Sequence, residues 1–178
     1  MKQISQLIRE IIPVILGILI ALVINNWNEE RKDKKYLNQI YSSIQEELAE
    51  SSANIKEKIP KQQAVIDSLE IYLNDETVSI IDLLNKVALP GVTIKNNSWK
   101  AIANSRIELI EFEKLSALSD IDEGKESLEL KLEKVLDFVY ENVRETNREK
   151  KEVFQLLIQE IIWTEESLQS NIDDFLKK

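Results

Sequence analysis

The sequence has no cysteine and no histidine, and it has only three glycines and three prolines among 178 residues. The first two absences exclude disulfides, thiolate nucleophiles, Ser-His and Cys-His catalytic pairs and the usual zinc sites. So few glycines exclude a glycine-rich phosphate-binding loop. The scarcity of both glycine and proline argues against a strand-rich fold, which needs many turns.

The balance of charge is acidic, with 32 acidic and 23 basic residues and a net charge of −9. Such a chain repels phosphate backbones, and no basic stripe with interleaved aromatic residues offsets that repulsion. We therefore expect no nucleic-acid partner. Glu, Lys, Leu and Ile dominate the composition, which favours helices, and the sequence predicts an all-α fold.

Near the N-terminus, residues 11–24 form an uninterrupted apolar run of fourteen residues, "IIPVILGILIALVI". This run covers about 21 Å as a helix, and including Leu7, Ile8 and Trp27 extends it to about 31 Å, close to the thickness of a hydrocarbon core. Charged and aromatic side chains flank it as expected membrane-interface anchors, namely Arg9, Trp27, Arg31 and Lys32.

Two other interpretations of this segment are possible. A cleaved signal peptide would show small residues before its cleavage point, and the exit "VINNWNEE" has no such pair. The first core helix of a soluble bundle would show a polar face, and residues 11–24 are apolar on every side. The sequence therefore predicts an uncleaved transmembrane anchor over residues 1–28, followed by an acidic helical domain over 29–178.

One face of the predicted membrane helix is smaller and more polar than the rest. Gly17 and Ala21 form a small-xxx-small step that permits close approach of a second helix. The full face, spaced by four or three residues, is Glu10, Val14, Gly17, Ala21, Asn25 and Asn28. We predict a helix–helix interface here, with the same protein or another membrane protein, although such pairs also occur by chance in membrane helices.

The string "GILIALVINNWNEERK", residues 17–32, resembles the opening of a family of uncharacterised bacterial proteins. Their N-terminal membrane helix reads approximately E-x6-GILIAL-x-INNWNE-x-RK, and a helical region follows it. Glu10 and the residues at 17–22, 24–29, 31 and 32 match, while Val23 stands where glutamine is expected. The resemblance implies an anchor in the bacterial inner membrane and implies no activity.

Two indications of membrane orientation disagree. Lys2 and Arg9 precede the apolar run, and Arg31, Lys32, Lys34 and Lys35 follow it, which favours a cytoplasmic domain. Relatives in the resembled family commonly carry a longer basic tail before the helix, which implies an exported domain. We take the periplasmic side as the expectation.

Beyond Trp27 the pattern predicts a membrane helix that continues into an antiparallel bundle with short connecting helices. A heptad through Leu48 and Ile55, interrupted by Ser51, predicts a coiled-coil-like helix over 29–59 that ends at Pro60. Shorter helices are expected over 61–122, with Ser79 and Ser98 as N-caps. Gly124 is expected to separate these from the long helices over 125–176.

The remaining candidates for chemistry are few. Carboxylates are plentiful, but a di-iron bundle needs histidine, and "DIDEG", residues 120–124, fails the calcium-loop pattern. We assign no catalytic, cofactor-binding or metal-binding residue and expect no enzyme. Trp99 and Trp163 are candidates for a partner or ligand surface, or alternatively plugs of the bundle core.

These observations favour a single-pass, membrane-anchored interaction or scaffold protein that forms an oligomer or joins a larger membrane complex. Its expected partners are membrane lipid and, through the N-terminal helix, itself or another membrane protein. The alternative is a ligand-sensing or signal-relaying helical domain tethered to the membrane.

Overall fold

The computed structural model describes the backbone of residues 2–177 and the side chains of residues 11–177. Arg9 and Glu10 therefore lie outside the residues whose side chains are described. Within the described part the chain is all-α, as predicted. Its helices are α1 (Lys2–Ile71), α2 (Ile80–Lys86), α3 (Asn97–Ala103), α4 (Phe112–Asn142) and α5 (Arg148–Leu176), with a 3-10 turn at Ile107–Leu109.

The chain divides into two compact units, Met1–Ser42 and Ser43–Lys178. The first unit belongs to α1, and the side chains of its residues 11–32 are exposed on every side of the helix. Among the described residues this is the one segment that is long and apolar enough to cross a membrane, and none of it is buried. It is therefore no part of a core within the described chain, and it suits a membrane anchor.

In the second unit, α5 runs antiparallel to the C-terminal part of α1. Ser52 Oγ donates a hydrogen bond to Asp173 Oδ1 at 2.6 Å, and Gln155 Nε2 donates to Glu70 Oε1 at 3.2 Å. Residue numbers thus rise along one helix as they fall along the other. The predicted antiparallel bundle is confirmed for this pair.

Helices α4 and α5 are antiparallel as well. The rings of Phe138 and Phe154 stack with centroids 6.0 Å apart, and Lys131 Nζ donates to Thr164 Oγ1 at 2.6 Å. Because α5 is antiparallel to both α1 and α4, these two helices run in the same direction. The second unit is therefore a three-helix bundle, and α2 and α3 lie in the connection from α1 to α4.

The predicted helix end at Pro60 is wrong, since α1 continues through Pro60 to Ile71. The buried positions explain why. Leu48, Ile55, Gln62 and Leu69 follow one another at intervals of seven residues, and all four side chains are buried. Packing on both sides of the proline holds the helix together despite the lost backbone hydrogen bond.

The predicted break at Gly124 is also wrong, because α4 runs unbroken through this residue. A Cβ atom at Gly124 would lie only 3.0 Å from Leu168 Cδ1 of α5. The glycine therefore serves close packing of two helices and ends neither of them.

The two predicted N-caps have different outcomes. Ser79 caps α2 in a reciprocal capping box, in which the Asp82 N–H donates to Ser79 Oγ and the Ser79 N–H donates to Asp82 Oδ2. Ser98, in contrast, lies within α3, whose N-cap is Asn96. The cap at Ser79 is confirmed, and the one at Ser98 is wrong because the helix begins earlier.

Candidate functional site

The described part of the predicted helix–helix face, which does not include Glu10, is exposed. Val14, Gly17, Ala21, Asn25 and Asn28 are all exposed residues, and nothing lies within 4 Å of the position a Cβ would take at Gly17. The spacing of three and four residues places these five residues along one side of α1. This surface is therefore open to a partner.

The end of the apolar run is organised around Trp27. The guanidinium of Arg31 lies 5.8 Å from the ring centroid of Trp27, within the range of a cation–π contact. The two residues line an open groove of about 180 Å³ together with Glu30 and Lys34. Trp27 and the cations beside it, Lys32 among them, are exposed, as the headgroup region of a bilayer would require.

Trp99 and Trp163 lie in opposite environments. Trp99 is only 6% exposed, which agrees with the core alternative for this residue, and its Nε1 donates to Asp122 Oδ2 at 3.3 Å. Trp163 on α5 is 60% exposed, which agrees with the surface alternative. The two tryptophans are not brought together into one site.

Around Trp99, polar side chains join α4 to the residues before α3. Asn96 Nδ2 donates to Asp122 Oδ1, and Lys125 Nζ donates to Asn96 Oδ1 at 2.9 Å. An open cavity of about 190 Å³ lies beside this group, lined by Trp99, Ser119, Asp122, Glu123 and Glu126. Three of these five residues carry a carboxylate and one is aromatic, a composition that suits a small cation.

Residues 87–96, here called the connecting segment, are held along α1 by polar side chains. Asn54 Oδ1 accepts from the Thr93 N–H at 2.8 Å, and Ser51 Oγ accepts from the Lys95 N–H at 2.9 Å. The Ser51 hydroxyl also donates to the Glu47 carbonyl at 2.7 Å. Ser51, which interrupts the heptad, is thus a bridge between α1 and this segment.

Further along α1, Gln62 Nε2 donates to the Pro90 carbonyl at 3.1 Å. From Ser51 to Gln62 the helix rises about 17 Å. From Lys95 back to Pro90 an extended chain also covers about 17 Å. The connecting segment therefore matches the helix in length, and it runs antiparallel to α1.

The same Gln62 amide reaches the centre of the bundle, where its Nε2 also donates to Glu165 Oε1 at 2.9 Å. Glu165 is 0% exposed, and burial raises the pKa of its carboxyl to about 7, against a smaller opposing effect of the Gln62 hydrogen bond. This carboxyl is not among the candidate residues predicted from the sequence. Its only local signal is an acid at a position of α5 that continues the buried stripe Phe154, Ile158, Ile161 and Leu168.

A buried lysine lies at the C-terminal end of α1. Lys151 Nζ donates to the carbonyls of Tyr72 and Asp75, at 2.8 and 2.7 Å, and these carbonyls follow the last turn of α1. Burial lowers the pKa of Lys151, while Asp75 and Glu76 act in the opposite direction. The ammonium therefore caps the helix where the macrodipole is negative.

Among the described residues, no three Asp or Glu side chains come together closely enough to hold a metal ion. Comparison of the chain with protein families, curated proteins and solved structures finds no match among any of them.

Proposed function

We propose that this chain is a single-pass, membrane-anchored interaction protein whose N-terminal helix contacts a second membrane helix. The observation that carries the proposal is the apolar segment 11–24, whose side chains are exposed on every side of the helix within the described part of the chain. Such a surface needs lipid, a partner helix or both to cover it.

The smaller face of this helix supports a protein partner in addition to lipid. At Gly17 and Ala21 the backbone of a second helix can approach closely, which increases van der Waals contact in a solvent where hydrophobic attraction between helices is absent. Asn25 lies on the same face and donates to Glu29 Oε1 at 3.3 Å, on its own helix. An amide at this position can also hydrogen-bond across a contact between two helices.

We propose the bacterial inner membrane as the location and the periplasm as the side of the bundle, on the resemblance of residues 17–32 to anchored bacterial proteins. A reporter fused after Lys178 tests the side. Alkaline phosphatase activity supports export, and fluorescence of a cytoplasmic reporter protein contradicts it.

The association test compares two substitutions on opposite faces of one helix. Gly17→Leu adds bulk to the small face, and Val23→Leu adds bulk to the far face, where the side chain is 67% exposed. In mild detergent we expect Gly17→Leu to weaken co-purification of two differently tagged copies, or of a co-purifying membrane protein, and Val23→Leu to leave it unchanged. Equal association of both variants with wild type contradicts the proposed interface.

The cavity beside Trp99 favours a second candidate, a helical domain that senses a small cationic ligand. Asp122, Glu123 and Glu126 supply negative charge, and the indole of Trp99 supplies an aromatic wall. A rise in melting temperature with a small organic cation, lost in Glu126→Gln, would support this candidate. A stoichiometric protein partner together with no response to cations would favour the interaction protein.

A further inference from the structure

The pair formed by Gln62 of α1 and Glu165 of α5 is the most deeply buried polar contact described in the bundle. Gln62 is 1% exposed and Glu165 is 0% exposed. One amide nitrogen, Gln62 Nε2, donates both to Glu165 Oε1 and to the Pro90 carbonyl. The two N–H groups of a single side chain therefore join α1, α5 and the connecting segment.

Two oxygen atoms of this pair have no hydrogen-bond partner, namely Gln62 Oε1 and Glu165 Oε2. With an ionised carboxylate both atoms are acceptors, so neither can satisfy the other. Exchanging the amide oxygen and nitrogen of Gln62 would not satisfy these atoms, because the amide oxygen would then face two other acceptors, the Pro90 carbonyl and Glu165 Oε1. A single proton on Glu165 Oε2 supplies the missing donor for both atoms.

We propose that Glu165 is a neutral carboxylic acid in the folded protein and donates its proton to Gln62 Oε1. The two side chains then form a closed acid–amide pair, and Gln62 keeps its second N–H for Pro90. Loss of the proton opens the pair and weakens the attachment of the connecting segment to α1 at its Pro90 end.

The electrostatic surroundings agree with a neutral acid. Burial raises the pKa of Glu165 to about 7, and among the described residues the only other contribution is the Gln62 hydrogen bond, so no charge in this part of the chain holds the carboxylate ionised. Five lysines on α1, α4 and the connecting segment contact other side chains. Lys58 and Lys61 of α1 pair with Glu57, Lys95 of the connecting segment pairs with Glu50, Lys125 of α4 contacts Asn96 and Glu129, and Lys131 of α4 contacts Thr164.

The raised pKa of Glu165 determines whether the pair stabilises the fold at low or at high pH. The pKa of Glu165 in the folded chain, about 7, lies above its ordinary value of 4.5. The stabilising contribution is therefore complete below the ordinary value and is lost as pH rises through about 7. Asn54 and Ser51 continue to hold Thr93 and Lys95, so we expect loosening near Pro90 and no release of the whole segment.

Infrared spectroscopy of the full chain in detergent tests the protonation state directly. At a pH between 4.5 and about 7, a carbonyl band of a neutral carboxyl should remain after ordinary glutamates have ionised. Glu165→Gln should remove this band, and Glu166→Gln, a change of the exposed neighbouring glutamate, should leave it. Isotope labelling of glutamate assigns the band in the wild-type protein, so this test does not depend on a variant. Absence of the band contradicts the proposal and would indicate an ionised carboxylate bridged to Gln62 by water.

Hydrogen exchange of residues 87–96 tests the consequence for the connecting segment. After correction for the intrinsic pH dependence, exchange of the amides nearest Pro90 in wild type should increase several-fold from pH about 6 to pH about 8, on either side of the Glu165 pKa. The Thr93 and Lys95 amides, which Asn54 and Ser51 hold, should stay protected. Glu165→Gln, which imitates the neutral acid, should remove this increase. Gln62→Leu should raise exchange at both pH values, and Gln63→Leu, at the exposed neighbour, should not. Identical pH dependence in wild type and Glu165→Gln would overturn the proposal.

Discussion

Gly124 of α4 faces Leu168 of α5 so closely that a Cβ on the glycine would lie 3.0 Å from Leu168 Cδ1. Leu168 is 1% exposed and is surrounded by the bundle core, so it has little room to move aside. The two helices approach each other at this point because one of them has no side chain there.

Gly124→Leu should therefore destabilise the second unit. Overpacking against Leu168 costs about 1–3 kcal/mol. The gain from replacing glycine in a helix offsets only about 1 kcal/mol of this. Urea unfolding followed by far-UV circular dichroism measures the change. Gly91→Leu is the matched control, because nothing lies within 4 Å of a Cβ at Gly91. Equal stability of the two variants would contradict the role assigned to Gly124.

Glu47 of α1 binds the first turn of α3. Its carboxylate accepts from the Ser98 N–H at 3.1 and 3.3 Å and from the Ser98 hydroxyl at 2.9 Å. The N-cap residue Asn96 makes no such bond with its side chain, so a carboxylate from another helix takes the place of a local cap.

Glu47→Ala should cost about 1 kcal/mol of stability and loosen α3, as loss of an N-cap does. The adjacent Glu46→Ala removes the same charge from an exposed position and is the control. Hydrogen exchange of the α3 amides measures the local effect. If the α3 amides exchange at the same rate in both variants, Glu47 does not cap this helix.

Lys151→Met should destabilise the C-terminal end of α1. The substitution keeps most of the buried aliphatic chain but removes the charged donor to the Tyr72 and Asp75 carbonyls, at a cost of about 2 kcal/mol. These carbonyls then keep only their longer hydrogen bonds from the Asp75 and Val78 N–H groups, at 3.2 and 3.3 Å. Lys134→Met, at an exposed position of α4, is the control. Thermal unfolding of the full chain in detergent distinguishes them, and an unchanged melting temperature in Lys151→Met would contradict the capping role.

Much of the fold can be predicted from local signals. The composition predicted an all-α chain, the run at 11–24 predicted a helix able to cross a membrane, and the Ser79 and Asp82 pair predicted the start of α2. Each of these signals depends on residues that are close in sequence. A helix propensity, a capping pair or an apolar run acts without contacts to distant parts of the chain.

Whether the helices end at Pro60 and Gly124 could not be decided from such local signals. A proline or glycine inside a helix is unfavourable in isolation, and that local cost favours a helix end at each residue. The heptad that continues through Leu48, Ile55, Gln62 and Leu69 contained the opposing signal, but its weight depends on how much of α5 packs against it. Packing across the bundle outweighed the local preference.

By itself, then, the sequence determined that this chain is helical and that an apolar helix precedes an acidic domain. Both follow from residue type and spacing, which act over one or two turns. Only the tertiary structure decided that Gln62 meets Glu165 across 103 positions and also reaches Pro90. Such a contact arises from the antiparallel alignment of α1 and α5. Nothing in the sequence distinguishes Glu165 from the other glutamates, and burial at this interface is what raises its affinity for a proton.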